Sequence, residues 1–226
     1  MPRLYLVADL HCRASRENND ILAMRLSSLR SALEPGDWVA VLGDVTDDGT
    51  ADQYSEAARL LDPFRGRLLA CPGNHDAGLL GLCYSLPARR RWAGLCRQLG
   101  AVTEAQVGAR WVVALDSCRY TLWPGDLARG RLGGGEIRRT RECVERAAER
   151  GLQATIIMHH DPYCSDPTLL LDDAEALLGI AAGVADLAWG HTHRLLRWRD
   201  DDGRERVSVG NLRGAAAGRG PVWLAG

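Results

Sequence analysis

Six histidines occur in the 226-residue chain, and each follows directly on an apolar run of strand length: His11, His75, His159, His160, His191 and His193. A solitary histidine on an apolar face is ordinarily a core residue with a satisfied hydrogen bond. Six at the same topological position need another reason. Asp9, Asp44 and Asn74 stand at matching positions, giving a mixed nitrogen and oxygen set of the kind that holds first-row divalent cations. The donors are too many for one tetrahedral ion. Two adjacent ions sharing a carboxylate account for them better, and such pairs, about 3.5 to 4 Å apart, suit the hydrolysis of phosphate esters. A phosphoester repels anionic nucleophiles, so its oxygens must be neutralised and hydroxide produced near pH 7. Metal coordination does both, bringing the pKa of bound water from about 15.7 to near 7.

The elements that must carry these groups alternate along the chain. Residues 3–9 read as a buried strand ending in Asp9-Leu10-His11, where residues two apart on an extended segment face the same way and converge. Asn18 or Asn19 is placed to cap the following helix, whose apolar stripe runs from Ile21 to Leu33 and stops at Pro35-Gly36-Asp37. Residues 38–42 form a second strand running into Gly43-Asp44-Val45-Thr46-Asp47. A helix over 51–61 and a third strand over 68–71 lead to Pro72-Gly73-Asn74-His75-Asp76. An acid or histidine after each strand implies parallel strands whose carboxyl ends share one site. Further on, the pattern predicts a helix over 86–99, strands over 101–107 and 110–115, and a loop over 116–135 containing a Trp-Pro-Gly turn. It then predicts a helix over 136–150, a strand over 153–158, a helix over 168–181 and a strand over 184–189. Short strands over 195–199, 206–209 and 221–224 close the chain, with Asp202-Gly203 as a turn. No repeat or linker interrupts the pattern, so residues 1–226 read as one α/β unit.

The bulk composition bounds the reading. With 46% apolar residues the chain can fill a substantial core, and a formal charge of -1 supplies no global attraction to nucleic acid or to an anionic membrane. No apolar run approaches the roughly 20 residues that span a bilayer. The N-terminus enters a strand directly and lacks the apolar core of a signal peptide, so a cytoplasmic location is expected. Seven cysteines, an odd number without any Cys-x-x-Cys pairing, argue against a zinc finger and a disulfide framework.

In order along the chain, Asp9-x-His11, Gly43-Asp44-x-x-Asp47, Gly73-Asn74-His75-Asp76, His159-His160 and Gly190-His191-Thr192-His193 resemble the five signature blocks of the calcineurin-like metallophosphoesterase superfamily. Weaker likenesses, including residues 209–214, lean towards the branch with the class III cyclic nucleotide phosphodiesterases. The resemblance implies a four-layer αββα sandwich with two mixed β-sheets. It implies a first metal on Asp9, His11, Asp44 and His193, and a second on Asp44, Asn74, His159 and His191, each Mn, Fe, Zn or a similar ion. It also implies attack on phosphorus by a hydroxide held between them, with His75 stabilising the phosphoryl oxygens or protonating the leaving group and Asp76 orienting His75. The expected substrate is a small phosphoester, a cyclic nucleotide first. A phosphomonoester or nucleotide pyrophosphate is the alternative, and a non-catalytic metal-binding scaffold is the rival from another class; nucleic acid and membrane are not expected partners.

One block departs from the family pattern. His159-His160-Asp161-Pro162 stands where the family has His-His-Pro-Pro, so counting from the strand end makes His159 the ligand and counting back from the proline makes it His160. Strand geometry favours His159. Outside the blocks, Arg89-Arg90-Arg91 reads as a solvated helix face or a phosphate contact. Arg119, Tyr120 and Trp123 read as an anchored loop or a stacking cover for a leaving group. Arg213 reads as a phosphate contact or an ion pair, and Cys12 and Cys71 as packing residues.

Overall fold

The computed structural model describes residues 1–79, 83–121, 128–213 and 222–224. Two β-sheets form its centre. The first has the order β12-β1-β2-β3, built from β1 (Leu4–Val7), β2 (Trp38–Leu42), β3 (Leu68–Cys71) and β12 (Val222–Leu224), and only β12 runs antiparallel to its neighbour. The second comprises β6 (Glu104–Val107), β7 (Arg110–Ala114), β8 (Gln153–Ile157), β9 (Ala185–Trp189), β10 (Leu196–Arg199) and β11 (Glu205–Ser208). Its order is β10-β11-β9-β8-β7-β6, parallel through β11, β9, β8 and β7 and antiparallel at both edges. Both sheets are therefore mixed, as expected.

Strand periodicity sorts the core into three apolar layers. Leu4 and Leu6 face Val112, Ala114, Ile157 and Ala188 between the sheets, while Tyr5 and Val7 face the other way. That outer face of the first sheet packs on α1 (Asp20–Ala32), α2 (Ala51–Leu61) and α4 (Leu86–Leu99). Val113, Ile156 and Leu187 of the second sheet pack on α5 (Gly133–Glu149) and α6 (Ala174–Ala181). Helices, sheet, sheet and helices make the four-layer αββα sandwich. Both faces of the central strands are buried, which is why they read as continuous apolar runs rather than alternating ones.

Helix ends follow local chemistry in one case and tertiary contacts in others. α4 begins where Ser85 Oγ accepts Ala88 N at 3.3 Å and ends at Gly100, whose φ of +62° suits glycine. α5 starts three residues before the expected position because Asp173, from the far side of the 130s loop, accepts Leu132 N and Gly133 N at 2.9 and 2.7 Å. Asn19 holds the cap position of α1, but its side chain turns back to Arg13 and Ser15 instead of capping. The helix expected over 168–181 is restricted to α6. A one-turn helix, α3 (Asn74–Ala77), and a small hairpin of β4 (Gly78–Leu79) and β5 (Cys83–Tyr84) were not foreseen. Trp123 and the Trp-Pro-Gly turn lie outside the described residues. Among those described, no helix is long and apolar enough to cross a membrane.

Candidate dinuclear metal centre

The carboxyl ends of β1, β2 and β3 meet those of β8 and β9, and the polar residues that follow them form one cluster. The loops are stitched by main-chain bonds: Asp9 N to Gly43 O (3.1 Å), His11 N to Asp44 O (2.9 Å) and Gly190 N to His159 O (3.0 Å). Close approach at the seam requires glycine. A Cβ on Gly73 would stand 2.1 Å from Asp44 Oδ1, and one on Gly43, at φ +80°, would stand 2.5 Å from His159 Nδ1.

Backbone strain at non-glycine residues, among those described, gathers in this cluster. Among the described residues, the non-glycine positions with positive φ are Asp9, His11, Asp44, His191 and His193. Each left-handed residue costs about 1–2 kcal/mol, a cost that persists where surrounding structure over-determines it for a site. Asp9 and His11 do converge, but through this left-handed backbone and not through an extended segment.

Two donor sets result. In the first, His11 Nε2 lies 3.2 Å from His193 Nε2, His193 Nε2 lies 3.7 Å from Asp9 Oδ1, and His11 Nε2 lies 3.9 Å from Asp44 Oδ2. In the second, His159 Nε2 lies 3.1 Å from Asn74 Oδ1, 3.1 Å from His191 Nδ1 and 3.3 Å from Asp44 Oδ2. Asp44 Oδ2 belongs to both. A tetrahedral ion with ligands at 2.0–2.1 Å separates its donors by about 3.3 Å, so each set has the spacing of ligands converging on one cation. Asp9 Oδ2 is buried with no hydrogen-bond partner, which fits a carboxylate waiting for a cation. The residues present therefore fit a pair of ions.

Electrostatics favour the same use. Burial pushes His11 down to about 4 and His191 to about 3, leaving both imidazoles neutral at pH 7 with lone pairs to give. Burial also opposes ionisation of Asp44, but His159, then His75 and His11, outweigh it and hold the carboxyl well below its usual range. Burial works against a charged His159; Asp44, Asp9 and the Leu42 carbonyl reverse this and push it up to about 9. The bond from His159 Nδ1–H to Leu42 O, 2.9 Å long, turns Nε2 towards the shared carboxylate.

His159 is thus the histidine of its pair that joins Asn74, Asp44 and His191. His160 has Nδ1 2.8 Å from Ser117 Oγ and also groups with His159 and His191 at ligand spacing. His75 stands beside the first set, its ring centroid 4.9 Å from that of His11 at 88°. Asp76 does not orient it. The Asp76 carboxylate accepts Gly73 N, Val45 N, Thr46 N and Thr46 Oγ1 at 3.0–3.1 Å, while His75 Nδ1 meets the Asp47 carbonyl at 2.5 Å. The reason is α3: consecutive residues on a helix do not face the same way. Asp47, named in the second block without a role, is thus the residue that holds His75. Arg89 ion-pairs with Asp116, Arg91 holds Gly49 O at 2.8 Å, and Arg213 bonds to Asn18 O and Asn19 Oδ1, so these arginines tie loops together.

A family model described as calcineurin-like phosphoesterase matches residues 2–195. Among curated proteins, a 3',5'-cyclic adenosine monophosphate phosphodiesterase CpdA of Pseudomonas aeruginosa is 30% identical over 165 residues, covering 70% of this chain and 54% of the relative. A glycerophosphodiester phosphodiesterase GpdQ of Enterobacter lignolyticus is 28% identical, covering 75% of this chain and 60% of the relative. The chain thus spans little more than half the length of these two relatives. Among solved structures, a dimetal phosphatase of Danio rerio superposes with a TM-score of 0.65 at 15% identity, over 94% of this chain and 88% of that one, a likeness of fold.

Proposed function

The chain belongs to the calcineurin-like phosphoesterase family, and from that premise we propose that it hydrolyses phosphodiesters at a two-ion centre, with cyclic nucleotides as the leading substrates. The observation that carries this reading is the pair of histidines, His11 and His159, that approach Asp44 Oδ2 from the two sides, at 3.9 and 3.3 Å. Asp9, His11, Asp44 and His193 would hold one ion, and Asp44, Asn74, His159 and His191 the other. Two bound ions supply neutralisation of the phosphoryl oxygens and a lowered pKa for water.

The remaining work falls to side chains of the chain itself. His75 is drawn above its ordinary pKa: burial opposes this, but the Asp44 charge and the Asp47 carbonyl prevail. With Nδ1–H committed to Asp47 O, the proton on Nε2 is free for the departing oxygen. As a water oxygen bonds to phosphorus in line and its proton passes to solvent, the bond to the ester oxygen breaks and that alkoxide takes the Nε2 proton. Asp76 supports the step indirectly by fixing the turn at Gly73 that presents Asn74 and His75.

Both curated relatives described above are named as phosphodiesterases, which favours diesters over monoesters. The test is a panel of 3',5'-cyclic nucleotides, glycerophosphodiesters, phosphomonoesters and pyrophosphates, assayed with Mn²⁺-reconstituted protein. The expected result is about two ions per chain and fastest turnover of diesters. Monoesters or pyrophosphates hydrolysed in preference would replace the substrate reading. Two ions bound with no hydrolysis of any ester would replace the enzyme by a metal-binding scaffold.

A further inference from the structure

Where β3 closes the first sheet, residues 101–103 cross to the second, and their main chain pairs with both. Val102 N donates to Leu68 O at 2.9 Å, Ala70 N to Val102 O at 3.1 Å and Ala114 N to Thr103 O at 2.7 Å. The backbone of the crossing is thus satisfied, but the side chains around it are short. Ala70, Ala93, Ala101 and Ala114 leave a cleft of about 310 Å³, with Trp92 and Cys96 of α4 as further apolar wall. That volume falls at the lower end of those that hold small ligands. A second void of about 10 Å³ continues from Ala70, Trp92, Cys96 and Ala101 towards Val41 and Leu95, with apolar surroundings that suit an apolar atom better than a water.

The charges that border the cleft do not balance. Asp116 is engaged by Arg89, and Arg139 by Glu136 at 2.8 Å. Arg97, also on the lining, is exposed and has no ion-pair partner among the described residues. One uncompensated guanidinium therefore stands beside an apolar slot walled by an indole. We infer that the cleft is a binding site for a small aromatic anion, its ring held against Trp92 and the alanines and its carboxylate or sulfonate facing Arg97. The site is separate from the metal centre, since no residue of either donor set lines it. It abuts the turn that carries Asn74 and His75 through Pro72, whose carbonyl accepts Cys118 Sγ–H at 3.4 Å.

The test is calorimetric titration of the full chain, loaded with Mn²⁺ and stripped by chelator, with naphthalene-2-sulfonate and with 2-naphthylmethylamine, which carries the opposite charge on the same ring. The sulfonate should bind at about one per chain with a dissociation constant of about 0.1 mM, alike within about threefold in the two preparations. The amine should bind at least about tenfold more weakly. Ala93→Phe, which grows into the cleft from a half-buried position on α4, should weaken the sulfonate by more than about tenfold. Arg97→Gln should weaken it by about three- to fivefold, the contribution of an exposed charge, and Arg97→Glu should make the amine the tighter ligand. Because Arg97 is exposed, its variants carry the test if Ala93→Phe does not fold by circular dichroism. Binding confined to the Mn²⁺-loaded protein would assign the sulfonate to the metal centre and overturn the proposal. No binding at about 2 mM, or wild-type affinity in both Ala93→Phe and Arg97→Glu, would leave the cleft a packing gap. The measurement needs neither metal nor turnover, so it stands or falls apart from the hydrolase reading.

Discussion

Strands β1 and β2 carry a buried carboxylate at each end, and the two ends treat it in opposite ways. At the amino ends, Asp37 accepts Arg3 N at 2.7 Å, Glu34 N at 2.9 Å and the Arg3 guanidinium at 3.0 and 3.3 Å. Burial would raise its pKa, but these bonds more than cancel that and hold it below the usual carboxylate value. At the carboxyl ends, Asp9 accepts one backbone N–H, from His191 at 3.1 Å, and no arginine contacts it among the described residues. Burial, which outweighs the nearby His159, pushes it up to about 7. One end of the sheet is neutralised by the protein. The other is built so that neutralisation must come from a cation, and among the described residues the non-glycine positions with left-handed backbone collect at that end.

The largest break in this contrast comes from Asp44, which serves both donor sets. Asp44→Ala should reduce bound metal from about two ions per chain to fewer than one by elemental analysis, and phosphodiesterase activity by more than about 10³-fold. Retention of both ions would show that the two sets do not share a ligand. His75→Ala sharpens the contrast from the other side. It should keep both ions and lose about 10² to 10⁴ in kcat, and loss of metal along with activity would make His75 a ligand instead.

The site was more legible in the sequence than its supports were. Val, Leu and Ile runs closed by polar residues gave β1, β2, β3, β8 and β9 to within a few residues, so every donor could be placed at a strand end. The contacts that orient those donors have no such signal. His159 is aimed by the carbonyl of Leu42 and His75 by that of Asp47, and a main-chain acceptor is the same on any residue type. The resemblance implied Asp76 as the orienter of His75, whereas on the single turn of α3 its carboxylate bonds to Gly73 N, Val45 N and Thr46. The start of α5 was misplaced for a related reason: its free N–H groups are met by Asp173, 40 residues on, and not by a local cap.

The two buried carboxylates should respond with opposite sign to removal of their charge. Asp37→Asn takes the acceptor from Arg3 and should lower Tm by roughly 3–6 °C while leaving metal content unchanged. In protein stripped by chelator, Asp9→Asn removes a poorly solvated charge and should leave Tm unchanged or raise it by roughly 1–3 °C. The same change should cost the holoenzyme metal. A comparable fall in stripped protein for both variants would mean that Asp9 is satisfied internally after all.

The smallest effect is the pH dependence of the stripped protein, and its sign follows from linkage. Asp9 and His159 both have folded pKa values above their ordinary ones, about 7 and about 9, so the stability each contributes at low pH is lost as pH rises through those values. Asp44, held low, titrates below this window, and His11, His191 and His193, all pushed down, go on adding stability until about pH 7.5, about one unit above the ordinary histidine value at which they titrate in the unfolded chain. Between about pH 7.5 and 9, where the raised His159 dominates, the stripped protein should therefore lose a few degrees of Tm. Saturating Mn²⁺ should abolish the decline, because the cation takes the place of the protons that Asp9 and His159 give up. Asp37, with its depressed pKa, loses its contribution only as pH falls below about 4 and is silent in this range. A flat Tm in stripped protein from about pH 7.5 to 9 would mean that the carboxyl ends of the strands are as well neutralised as the amino ends, and the case for a cation there would then rest on donor spacing alone.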